Sequence, residues 1–97
     1  MKIRIEPAIV HKLATVHNVQ PPHVAQAFLN RQGTKNLIDT RPEHATVPPT
    51  LWFLGKDVNE RLLKVVFMYF PAEDVAVIKT CYEPNQTEIE IYEKLGR

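Results

Sequence analysis

The residue types that could do chemistry in this chain are basic and acid–base side chains: His17, Arg31, Arg41, Glu43, His44, Lys56, Arg61, Lys64, Lys79, Tyr82 and Glu83. RNA cleavage through the 2′-hydroxyl needs little more than such a set. A base takes the 2′-OH proton, a cation stabilises the extra charge on phosphorus, and an acid protonates the leaving oxygen. That chemistry needs no metal or cofactor, and Trp52 or Tyr82 offers a ring on which a splayed base can stack. The plainer reading runs beside it. Lys64 and Lys79 can line a solvated sheet face, and Trp52 and Tyr82 can be core aromatics.

Other chemistries are poorly served. The four histidines show neither the i, i+4 pairing with an intervening Glu of a zinc helix nor any Cys-x-x-Cys companion, so no metal site is expected. Three unclustered glycines make no phosphate-binding loop, and a chain without serine has no Ser triad. The single Cys81 rules out an internal disulfide and suits a reducing, cytoplasmic setting. It lies in an apolar run, where a thiol is expected to be buried and inert.

The elements that must position these residues centre on Glu60–Asn85. Two apolar runs, Leu62–Phe70 and Val75–Tyr82, flank Pro71-Ala72-Glu73-Asp74 and predict an antiparallel hairpin. If Phe70 lies opposite Val75, strand alternation puts Lys64 and Lys79 on one face; a slip of one residue separates them. Before the hairpin come a short strand at Lys2–Ile5, a Pro7-started helix over about residues 6–17 ending near Asn18, and a second helix from Pro21-Pro22. Val24, Ala25, Phe28 and Leu29 form the second helix's apolar stripe, Arg31 and Gln32 its last turn, and Gly33 its stop. Asn36–Thr40 is a weak strand, the proline-bearing Thr40–Pro49 an irregular loop, and Thr50–Lys56 a strand. Asn85, with Glu88 three residues on, predicts a capping box opening a last helix. Its Ile89, Tyr92 and Leu95 face inward and Glu88, Glu90, Glu93 and Lys94 face water.

Ninety-seven residues, 44% hydrophobic and 24% charged with a formal net charge of +1, make one ordinary globular domain spanning 1–97. No run approaches the ~20 apolar residues that span a bilayer, and no secretory signal is visible. The acids gather near the C-terminus, leaving a more basic body. The expected class is α+β, with helices on one face of a mostly antiparallel sheet of about four strands, an N-terminal helical hairpin and a C-terminal helix.

Several short motifs resemble those of one family. His17-Asn18-Val19 with the following Pro-started helix ending in Phe28-Leu29-Asn30-Arg31 is similar to the KHGV-S-x-E-E-A…F opening of BrnT-like toxins. Arg61–Phe67 resembles their GR-x-L-x-V-V strand, Ile78–Pro84 their I-x-T/S-A-Y/R-x-P strand, and Glu88 to Tyr92 their closing helix. The resemblance covers nearly the whole chain and implies a RelE-like fold within the RelE/ParE superfamily. It also implies the role of a type II toxin that cuts mRNA, often on the ribosome, and is held by an antitoxin encoded alongside. Where that family ends its strand with arginine, this chain has Tyr82 followed by Glu83.

The site expected on this basis has Arg61, Lys64, Lys79, Tyr82 and His44 as catalytic residues and Arg31, Arg41, Lys56 and Trp52 as RNA contacts. Self-association is left open. The alternative is a non-catalytic protein- or nucleic-acid-binding module. A weaker one comes from Asp39–Phe53, which resembles a DTR-x-x-H-x-T-x-PPTLWF segment of proteins named ADP-ribosyl-(dinitrogen reductase) hydrolase. The fold expected of such an enzyme is a much larger, helical, metal-binding domain.

Overall fold

The computed structural model describes residues 1–41 and 45–97. It is an α+β arrangement of β1 (Lys2–Arg4), α1 (Pro7–Val16), α2 (Pro21–Leu29), β2 (Leu37–Ile38), β3 (Thr50–Lys56), β4 (Leu62–Phe70), β5 (Val75–Tyr82) and α3 (Gln86–Leu95). The strands form one five-stranded sheet in the order β1-β5-β4-β3-β2. β1 runs parallel to β5 and every other neighbouring pair is antiparallel. The sheet is therefore mixed, and one strand larger than the four expected.

The local signals act where the sequence places them. Pro7 and Pro21 occupy first-turn positions of their helices, where a missing N–H costs nothing. Asn18 takes a left-handed φ of 54° just after α1, a conformation Asn tolerates better than most residues. Asn85 accepts from the Glu88 backbone N–H, and the Glu88 side chain accepts from that of Asn85. α2 stops at Leu29 rather than continuing through Gln32. Arg31 instead bridges to Gly55, and the Gln32 and Lys56 N–H groups donate to Leu54 and Asn30 carbonyls. The chain thus leaves the helix to pair with β3, which turns Leu29 out to solvent and buries Ala27 in place of Ala25.

Helices cover both faces of the sheet, not one. Trp52 and Phe53 are consecutive in β3 and so point oppositely. Phe53 meets Phe28 of α2 with ring centroids 4.7 Å apart, while Trp52 meets Tyr92 of α3 at 5.8 Å. The α2 side is the drier, with Phe53, Leu63, Val65 and Cys81 fully buried. Burial pushes the Cys81 thiol up to about 12, so it stays a neutral core group. Gly55 is the contact point of β3 with α2: a Cβ there would lie 2.1 Å from the Ala27 carbonyl oxygen.

α3 is rooted at its C-terminal end. The N–H groups of Thr34 and Lys35 both donate to the Gly96 carbonyl, and Tyr92 Oη donates to the Lys35 carbonyl. Gly33 lies so close that its Cβ would meet the Gly96 oxygen at 2.3 Å. Leu95, expected inward, is exposed. Among the described residues, no helix is long and apolar enough to cross a membrane.

Candidate functional site

Phe70 does pair with Val75, yet the two lysines do not become equivalent, because β5 carries a bulge. Val66 pairs with Thr80 and Phe67 with Ile78, leaving Lys79 as the extra, unpaired residue. The bulge shifts the upper register by one, so Lys64 lies opposite Tyr82. Bulges re-aim side chains in this way and are frequent beside functional sites. Lys79 stays exposed, whereas Lys64 is buried on the α3 face.

Burying an ammonium requires a partner, and Lys64 finds it in Glu88. Nζ lies 2.6 Å from Glu88 Oε2 and 4.5 Å from the centroid of the Trp52 ring. Tyr82 Oη donates to the same Oε2 at 3.0 Å, and the His17 ring centroid stands 5.4 Å from that of Tyr82. Glu88, expected to face water, is thus the centre of the cluster. Burial alone would raise its pKa. Hydrogen bonds from Lys64, the Asn85 N–H and Tyr82, with the Lys64 charge, outweigh burial and hold the carboxyl below its ordinary value. Tyr82 moves the other way: burial, helped by its bond to Glu88, raises the phenol against the opposing Lys64 charge. At neutral pH the pair is a carboxylate beside a protonated phenol, two groups whose environments push their pKa values apart.

The cluster opens into a groove. Lys64, Glu88 and Trp52 line a space of about 580 Å³ between α3 and the β2–Arg41 segment. Asp39 and Arg41 also line an adjoining space of about 330 Å³ with Lys12, Thr50, Lys79 and Tyr82, which makes the two parts one cleft. Arg41 is held by both Asp39 carboxylate oxygens through Nε and Nη2, at 3.0 and 2.8 Å. Its apolar wall is Ile38, Ile91 and Leu95, all exposed.

The remaining expected site residues lie elsewhere. Arg61 has its guanidinium engaged on three sides. Its Nε binds buried Asp57 at 3.2 Å, Nη1 donates to the Asn18 carbonyl at 2.9 Å, and Nη2 lies 3.3 Å from His23 Nδ1. These bonds fasten the β3–β4 turn to the α1–α2 connection. Arg31 turns to the α2 face, its Cζ 4.3 Å from the Phe53 centroid. Lys56 pairs with Glu60 at 3.3 Å at the β3–β4 turn. Trp52 is 7% exposed, between Lys64 and Tyr92 at the wall of the groove. His44 and Glu43 lie outside the described residues. Sequence reasoning missed Glu88, Lys12 and Asp39. For Glu88 the available signal was a lysine inside an apolar strand, which demands an acid somewhere.

Asp57 shows how much the turn depends on its charge. Burial opposes ionisation, but bonds from the Arg61 and Asn59 N–H groups and the Arg61 guanidinium prevail and lower its pKa. As pH falls, the unfolded chain therefore takes up this proton first. The stabilisation is complete above the ordinary aspartate pKa, ~3.9, and is lost as pH falls through the folded-state value. Asp57→Asn should lower the urea midpoint at neutral pH and flatten the acid limb of stability. Equal acid sensitivity in both proteins would refute the assignment.

Among the described residues, no three His, Cys, Asp or Glu side chains converge as a metal-ligand group. Compared with known proteins, the chain matches no family model and no curated protein sequence significantly.

Proposed function

We propose that this chain is a RelE-like toxin of a toxin–antitoxin pair, cutting single-stranded mRNA without a metal, and that its cleft holds the RNA. One observation carries the reading: Lys64 Nζ and Tyr82 Oη converge on one Glu88 oxygen, at 2.6 and 3.0 Å, beneath a rim bearing Lys12, Lys79 and the Arg41–Asp39 pair. The rim lysines attract phosphates, and the apolar wall of Ile38, Ile91 and Leu95 offers contact for a base.

In this mechanism Glu88 takes the 2′-OH proton and the 2′ oxygen attacks phosphorus. The P–O5′ bond breaks, and the leaving oxygen takes its proton from Tyr82. Lys64 turns from the carboxylate to the phosphate as negative charge develops there. The proton on Glu88 then passes to the phenolate across their hydrogen bond, which restores both groups. The products are a 2′,3′-cyclic phosphate and a 5′-hydroxyl. Arg61, on this reading, supports the fold and leaves the chemistry to the other three. The antitoxin would be the natural protein partner, and mRNA the nucleic-acid one, on the ribosome or free.

Tyr82→Phe removes the acid and spares the ring. It should reduce cleavage of a single-stranded RNA in EDTA by about 10²-fold while leaving RNA affinity nearly unchanged. Full activity in the variant would exclude Tyr82 as the acid. The exposed Ile38, Ile91 and Leu95 rim favours a second reading, a non-catalytic module that docks an apolar partner segment. Intact RNA with folded wild-type protein, on and off the ribosome, would select it.

A further inference from the structure

The α2 face carries a second pocket, across the sheet from the cleft, of about 230 Å³ and lined by Met1, Phe28, Arg31, Asn36, Leu51, Phe67 and Tyr69. Its walls are mostly apolar and largely aromatic. Tyr69 contributes its ring, since its hydroxyl is engaged by Asp74 at 2.6 Å. None of its lining residues is acidic. The volume lies below the ~300–1,000 Å³ typical of drug-sized ligands, so it suits a single ring with a small polar group.

Arg31 is the unusual member. Its guanidinium is fixed over the Phe53 ring and donates through Nη2 to Asn36 Oδ1. No carboxylate pairs with it among the described residues, and its Nε is buried without any hydrogen-bond partner. It is the one such buried side-chain atom among the described residues. Native structures rarely tolerate such an orphan, because it forfeits the hydration of a polar group for nothing. A cation held in place at that cost, beside an apolar pocket whose one neighbouring acid, Asp74, is engaged by Tyr69 and the Met1 ammonium, has the form of an anion-reading group.

We propose that this pocket binds a small aromatic carboxylate, its ring against Phe28, Phe67 and Tyr69 and its carboxylate on the Arg31 guanidinium. A flat apolar body matches the aromatic walls, and a carboxylate matches the planar fork of an arginine better than a spherical anion does. Asn36 accepts from Arg31 and also lines the cleft on the other face. The proposal stands apart from the ribonuclease reading and uses none of its catalytic groups.

The test is an NMR titration of the full chain with sodium benzoate, following backbone amides and the arginine Nε–Hε resonances. Saturable shifts at Arg31 Hε, Leu51 and Phe67 are expected, with benzyl alcohol and acetate each at least about tenfold weaker. Arg31→Gln should lose binding by a similar factor. Should that variant fail to fold, Asn36→Asp serves instead, since it changes an exposed residue and gives Arg31 an internal carboxylate that competes with benzoate. Absence of saturable shifts, benzyl alcohol binding as well as benzoate, or undiminished binding by Asn36→Asp would each overturn the proposal.

Discussion

Lys64→Met is expected to abolish measurable RNA cleavage and, separately, to destabilise the fold by about 2–4 kcal/mol. The stability loss comes from the partner left behind. Glu88 sits with its side chain 16% exposed and accepts from Lys64 at 2.6 Å; without the ammonium its carboxylate is stranded in a poorly solvated place. Glu88→Gln added to Lys64→Met removes that stranded charge while keeping a side chain able to complete the capping box with Asn85. The double variant should therefore recover most of the lost stability, with a coupling of about 1–3 kcal/mol in a double-mutant cycle. Cleavage should stay absent, because both charges the mechanism needs are gone. Urea denaturation of the four proteins, with RNA cleavage assayed in parallel, separates the two roles. A double variant no more stable than Lys64→Met would mean that the pair is not coupled as its geometry requires.

Gly55→Ala should be the most damaging small substitution in the sheet. Its new Cβ would lie 2.1 Å from the Ala27 carbonyl oxygen and 2.9 Å from the carbonyl carbon. These are helix-backbone atoms, so no side-chain rotation relieves the clash, and α2 must move away from β3. That movement would disturb the Phe28–Phe53 contact and the Arg31–Gly55 bridge together. A cost of about 3 kcal/mol or more is expected, which for a domain of this size lowers Tm by roughly 12–24 °C. A shift of only a degree or two would show that α2 floats over the sheet.

Much of the scaffold was legible in the sequence because it is set by local signals. Proline at helix starts, Asn18 at a left-handed position, the Asn85–Glu88 box and the alternating runs of β4 and β5 each act over a few residues. What escaped depends on contacts between distant segments. Nothing in Val77–Lys79-Thr80 announces a bulge, and that bulge decides which residue Lys64 faces. The same holds for α3 crossing to the other face: its apolar stripe fits either side, and only the burial of Trp52 and Lys64 against it settles the matter. The charge of Arg61 was visible, whereas its distant partners, the Asn18 carbonyl and His23, were not.

The two ends of α3 answer to different conditions. The C-terminal end is tied by neutral backbone bonds at Gly96 and by glycine-to-glycine contact with Gly33, and neither salt nor acid weakens such ties much. Its first turn is held through one carboxylate, Glu88, which pairs with Lys64 of β4 and accepts from Tyr82 of β5. Protonating Glu88, or offering Lys64 a better anion, therefore loosens this end, which keeps the Tyr82 bond and the packing of Ile89, while the other end stays pinned. Loosened there, α3 is expected to swing rather than detach, widening the cleft toward Tyr82 while its Gly33–Gly96 corner keeps its shape.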